Sequence, residues 1–174
     1  MPVTGFPPVS RPDARVLILG SMPGVASLEA GQYYAQPRNL FWQIAGQFFG
    51  TGREAPYKAR LDALIAHRVA LWDVLKSCDR PGSLDASIQR SSAVPNDFPR
   101  FLTRHPQLTH VFFNGKAAGD LYQRLVTRAL AGRFPELHYV TLPSTSPANA
   151  GITLAEKLKA WRVVKRATRS QALP

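Results

Sequence analysis

A chain of 174 residues can bury one sizeable core, and its 22 Lys and Arg against 11 Asp and Glu leave a formal charge of +11. That excess favours polyanionic partners, nucleic acid first among them. One cysteine, Cys78, excludes an intrachain disulfide and a four-cysteine zinc or iron–sulfur centre, while His67, His105, His110 and His138 lack metal-binding spacing.

The apolar run Val16–Leu19 predicts a buried strand, which stops at Gly20-Ser21-Met22-Pro23-Gly24. A tight turn at a strand's end is where open α/β sheets bind ligands. Gln32-Tyr33-Tyr34-Ala35-Gln36-Pro37-Arg38-Asn39 follows, bringing aromatic rings and an amide suited to a flat polar ring. Leu40, Phe41, Ile44, Ala45, Phe48 and Phe49 recur on one helical face, with Phe41 and Trp42 read as core. Asn39 stands just before that helix, where asparagine is a favoured cap. Leu61, Leu64 and Ile65 mark a second helix, and Val69–Val74 a second strand. Asp73, near its end, either faces a pocket or makes a structural contact to a helix or an arginine. Ser77–Pro99, with Pro81, Gly82, Pro95 and Pro99, reads as a long irregular connection.

His110–Phe113 predicts the third strand, and Asn114-Gly115-Lys116 leads into a helix marked by Ala118, Leu121, Tyr122 and Leu125. Lys116 at that helix's start is placed to hold a phosphate. The segment is not a P-loop, because His110 replaces the first glycine and Ala117 the magnesium-binding hydroxyl. Tyr139–Leu142 is the fourth strand, followed by Pro143-Ser144-Thr145-Ser146-Pro147-Ala148-Asn149. Leu154, Leu158, Trp161 and Val164 mark the last helix, capped by Thr153. Lys157, Lys159, Arg162, Lys165, Arg166 and Arg169 surround its stripe, as a solvated face or as a phosphate-contacting edge.

Strands alternating with helices predict the α/β class: a three-layer α/β/α sandwich with a central, mostly parallel four-stranded sheet. It is read as a single domain over residues 1–174, with 1–14 irregular. No run reaches transmembrane length and Met1–Arg15 lacks a signal-peptide core, so the expectation is a cytoplasmic protein away from membranes.

Four motifs in order then carry a resemblance: Gly-Ser-Met-Pro-Gly, Tyr-Tyr-Ala-Gln-Pro-Arg-Asn-Leu-Phe-Trp, Phe113-Asn114-Gly115-Lys116 and Ser-Thr-Ser-Pro-Ala-Asn. Together they resemble the uracil-DNA glycosylase superfamily, most closely its hypoxanthine-DNA (deoxyinosine) glycosylase branch. Leu71-Trp72-Asp73-Val74-Leu75-Lys76-Ser77-Cys78 and Gly82-Ser83-Leu84-Asp85 are similar to that branch as well. The resemblance implies excision of a deaminated base, hypoxanthine or uracil, from double-stranded DNA by a cofactor-free enzyme that leaves an abasic site; a monomer is the default expectation for a chain of this size and task.

Breaking the glycosidic bond builds positive charge on the sugar and negative charge on the base, so it needs aimed donors and a positioned water. Backbone N–H groups around Ser21 and Met22 suit the base, with Gly20 and Pro23 completing the turn that binds it. Met22 occupies the position where the mismatch-specific branch has its water-holding asparagine, so the resemblance moves that role to Asn39. It gives Tyr34 the stacking role and Asn114 the base edge, where one amide presents both an acceptor and donors. Ser144, Thr145, Ser146, Pro147, Ala148 and Asn149 become the loop entering the minor groove, beside Lys116 on the backbone. Two other readings stay open: a mismatch-specific uracil-DNA glycosylase, and a non-catalytic protein that binds damaged DNA.

Overall fold

A strand with every residue buried needs cover on both faces of its sheet, and two segments here are of that kind. The computed structural model describes residues 2–169. The chain begins with β1 (Val3–Thr4), β2 (Val16–Gly20), α1 (Val25–Ala30), α2 (Phe41–Phe49) and α3 (Tyr57–Ala66). It continues through β3 (Val69–Asp73), β4 (Leu75–Cys78), β5 (Val94–Pro95) and α4 (Phe98–Arg104). Then come β6 (His110–Asn114), α5 (Lys116–Leu125), α6 (Thr127–Leu130), β7 (His138–Leu142) and α7 (Leu154–Arg169). The fully buried strands are β2 and β3.

The central sheet has the order β3-β2-β6-β7 and every pairing in it is parallel. Alternation along the strands assigns side chains to two cores. Val16, Ile18, Val69, Leu71 and Phe112 pack with Phe41, Trp42 and Ile44 of α2, Leu64 of α3 and Trp161 of α7. Leu17, Leu19, Ala70, Trp72, Val111 and Phe113 pack with Phe98 and Phe101 of α4 and Leu121 and Tyr122 of α5. The three-layer α/β/α sandwich with its four-stranded sheet is the observed fold.

From β2 the chain crosses to β3 on one side, then returns past it to β6 on the other. The strand order therefore reverses between β2 and β6, which opens a crevice at their carboxyl ends. Gly115 leaves β6 with φ +97°, a left-handed conformation that few residues other than glycine adopt. Further along the chain, α7 starts with the expected cap. Glu156 N–H donates to Thr153 Oγ1 at 3.2 Å and Thr153 N–H donates to Glu156 Oε2 at 2.8 Å, a reciprocal capping box.

Three expectations need correction. Residues 1–14 are not simply irregular: β1 pairs with β4, and Val9 exchanges two 2.8 Å backbone hydrogen bonds with Leu71 on the edge of β3. The Ser77–Pro99 connection holds the end of β4, two short 3₁₀ turns and β5, which pairs with β4. Lys157 belongs to neither a solvated face nor a phosphate edge. It is buried, and its Nζ donates to Asn149 O at 3.0 Å, with burial lowering its pKa. No helix among the described residues is long and apolar enough to cross a membrane.

Candidate active site

The crevice is a cavity of about 370 Å³, large enough for a small ligand. Its first wall is the Gly20–Gly24 turn after β2. Every carbonyl from Gly20 to Pro23 is satisfied internally: Val74 N–H donates to Gly20 O at 2.8 Å and Leu75 N–H to Ser21 O at 3.1 Å. The buried Arg80 guanidinium donates to both Met22 O and Pro23 O, and its Nε to Gly82 O at 2.9 Å. Ser21 Oγ donates to the Asp85 carboxylate, and Val25 N–H to Ser83 Oγ at 2.9 Å. The turn is thus held rigid by a segment nearly sixty residues away in sequence. Met22 reaches the cavity, yet its side chain belongs to the core and its sulfur lies beside Gly5.

The second wall comes from the segment before α2. Tyr34 adopts φ +54°, a strained left-handed conformation for a tyrosine. Its ring stacks on Phe41 with centroids 4.2 Å apart. Phe41 and Trp42 are buried as expected of core residues, and Trp42 Nε1 donates to Tyr33 O at 2.8 Å. Asn39 lines the cavity and also acts locally, its Oδ1 accepting the Phe41 N–H at 3.0 Å. A carbonyl oxygen has two lone pairs, so that bond leaves one for another donor.

The third wall joins β6 to the loop after β7. Asn114 Oδ1 accepts Thr145 N–H at 2.9 Å, and Asn114 Nδ2 donates to Thr145 Oγ1 at 2.9 Å. One amide hydrogen and one lone pair of Asn114 remain. Thr145 is wholly buried, and its carbonyl accepts the Leu40 N–H at 3.0 Å. A surface contact by Thr145 is therefore corrected to internal stitching. Ser144, Ser146, Pro147 and Ala148 line the cavity with Gly20, Ser21, Met22, Pro23, Tyr34, Asn39 and Asn114.

Two expected residues stand apart from the cavity. Lys116 is exposed and its Nζ pairs with Asp120 one helical turn on. Asn149 braces the loop from behind, its Nδ2 donating to Ser144 O at 3.2 Å and its carbonyl accepting from Lys157. Sequence reasoning missed Ser83 and Asp85 as lining residues and Arg80 as the clamp. The turn signals of Gly82 and Ser83 marked a loop there, but no local periodicity points to where a loop folds back.

Of the two readings left open for Asp73, the structure bears out the pocket-facing one. Asp73 makes no side-chain contact to a helix or an arginine: it lines the cavity, 4% exposed, with Oδ2 unpartnered. Burial, and after it the charge of Asp85, raise its pKa to about 7 against the pull of Arg80. Burial also raises the pKa of Tyr34, whose hydroxyl lacks a partner. Among the described residues, no group of three or more His, Cys, Asp or Glu side chains is gathered to hold a metal ion.

A family model described as the uracil DNA glycosylase superfamily matches residues 7–165. A protein named hypoxanthine DNA glycosylase from Methanosarcina acetivorans is 38% identical over 146 residues, spanning 83% of this chain and 87% of that one. Another of that name, from Methanosarcina barkeri, is 39% identical over 117 residues, 67% of this chain and 73% of its own length. Among solved structures, a Methanosarcina acetivorans protein described as a candidate uracil DNA glycosylase superposes with a TM-score of 0.80 at 33% identity. That match covers 98% of this chain and 100% of that one.

Proposed function

Because the chain belongs to the uracil DNA glycosylase superfamily, we propose that it removes hypoxanthine, and to a lesser degree uracil, from double-stranded DNA. It is a DNA glycosylase of base repair. The observation that carries the finer reading is one cavity at the ends of β2, β3 and β6, which gathers the turn, Tyr34 with Asn39, and Asn114 from three separate stretches of chain.

A stacked base cannot reach such a cavity, so it must first be extruded from the duplex. Tyr34, braced on Phe41, stacks on the extruded base, an interaction worth about 1–3 kcal/mol. Asn114 offers its remaining N–H and lone pair to the acceptor and N–H that hypoxanthine and uracil share. Cytosine and adenine present the reverse order and leave those groups unpaired. The N–H groups of Ser21 and Met22 face the negative charge that develops on the departing base; because the turn's carbonyls are already fixed, they need no reorganisation.

Asn39 holds the attacking water with the free lone pair of Oδ1. An amide is a poor base, so the water adds late, to a sugar already cationic. Ser144, Ser146, Pro147 and Ala148 form the edge that props the duplex, and Lys116 adds a backbone contact that salt weakens. The protein acts as a monomer in the cytoplasm.

Single-turnover excision from duplexes carrying one deoxyinosine or one deoxyuridine, developed with alkali at abasic sites, tests the reading. Strand breaks at inosine are expected. Asn39→Ala should lower the rate at least about a hundredfold while DNA affinity is kept. Breaks at uracil alone would make it a mismatch-uracil enzyme, and tight binding without breaks would sink the catalytic assignment.

A further inference from the structure

Asp73 ends β3 directly across the ladder from Gly20. Its Oδ2 and the Tyr34 hydroxyl are the buried side-chain polar atoms without a hydrogen-bond partner among the described residues. Both flank one spot, since a methyl group on Gly20 would lie 2.5 Å from Asp73 Oδ1 and 3.1 Å from the Tyr34 oxygen. The other polar groups of the cavity are at least partly engaged: Asp85 by Ser21, and Asn114 by Thr145. A buried polar group left unpaired is costly, and an ionised carboxylate more so. The cavity therefore keeps an unspent carboxyl facing the place a base would fill.

We propose that Asp73 is a further catalytic residue, a neutral carboxyl that hydrogen-bonds N7 of the extruded purine and gives it a proton as the glycosidic bond breaks. The inference rests on hypoxanthine being a substrate. The proton passes from Asp73 to N7, and the electron pair of the C1′–N9 bond stays on the base, which leaves as neutral hypoxanthine. The water held by Asn39 forms the new C1′–O bond and releases its proton to solvent, which in turn reprotonates Asp73. The sum is hydrolysis. Uracil has no such ring nitrogen and departs as an anion held by backbone N–H groups, so it draws nothing from this acid.

The charged and titratable groups facing Asp73 agree with that state. Asp85 and burial favour the protonated form, Arg80 opposes it, and Tyr33 and Tyr34 stay neutral because burial and Asp73 raise their pKa values. A carboxyl poised near neutrality is suited to general acid catalysis.

The test is single-turnover excision of inosine and of uracil by the full chain, from about pH 5.5 to about pH 9. The inosine rate is expected to fall about tenfold per pH unit above about pH 7, with the uracil rate lacking that fall. Asp73→Asn keeps a hydrogen-bond donor without a transferable proton. It should lower the inosine rate at least about a hundredfold near pH 6.5 and remove the alkaline fall. Inosine excision with the same profile as uracil, or at the wild-type rate in Asp73→Asn, overturns the inference alone. A wild-type enzyme that cuts at uracil and never at inosine overturns the substrate reading and the inference with it. The wild-type comparison needs no variant to fold.

Discussion

The stability of Asp73→Asn relative to wild type should rise with pH. In the folded protein burial, reinforced by Asp85, lifts this carboxyl from 3.8 to about 7. The unfolded chain has the ordinary value, so between those limits it has lost a proton that the folded chain keeps. Stability from this group is therefore fully present below the unfolded value and is lost as pH climbs to the folded one. Each pH unit is worth about 1.4 kcal/mol, and the whole window of roughly three pH units about 4 kcal/mol. Between about pH 5 and about pH 8 the loss amounts to roughly 2–3 kcal/mol. Asparagine carries no such proton, so the stability difference between variant and wild type should grow by that amount. Urea unfolding of both proteins at several pH values measures it, and the other titrating groups cancel in the difference. A difference that does not change with pH would show that Asp73 ionises normally, and the account of its burial would be wrong.

Two further substitutions probe the walls. Gly20→Ala places a methyl group 2.5 Å from Asp73 Oδ1 and 3.1 Å from the Tyr34 oxygen, so the cavity wall must shift. Excision should drop by about a hundredfold while the fold survives; an unaltered single-turnover rate would contradict the geometry. Arg80→Met leaves the Met22 and Pro23 carbonyls without their buried donor and should cost about 2–4 kcal/mol. An unchanged urea midpoint would count against Arg80 as the clamp.

The parts of this molecule that obey local rules were legible. β2, β3, β6 and β7 follow from runs of apolar, β-branched and aromatic residues, and α7 announces itself through Thr153 and its apolar stripe. What stayed hidden depends on groups far apart in sequence. Arg80 reads as one more basic residue of a proline-rich loop until that loop closes over Met22 and Pro23. Lys157 fits a polar helix face by spacing, yet its amine reaches under the loop to Asn149. Asp73 at a strand end suggested a structural ion pair. Only the packed structure shows a buried carboxyl whose Oδ2 has no hydrogen-bond partner. Asn39 is intermediate: its local bond to Phe41 was foreseen from the helix start, whereas its place in the cavity depends on the whole crossover.

Thr145 gives the site something that no single wall supplies, a fixed internal ruler. With its side chain and N–H it grips Asn114, and with its carbonyl it grips Leu40, the residue after Asn39. The amide we propose for the base edge and the amide we propose for the water are thereby joined through one buried threonine, although 75 positions separate them. Base and water must meet at the two ends of one bond, so their spacing is the quantity that chemistry is least able to forgive. The fold entrusts that spacing to one buried residue that grips both sides.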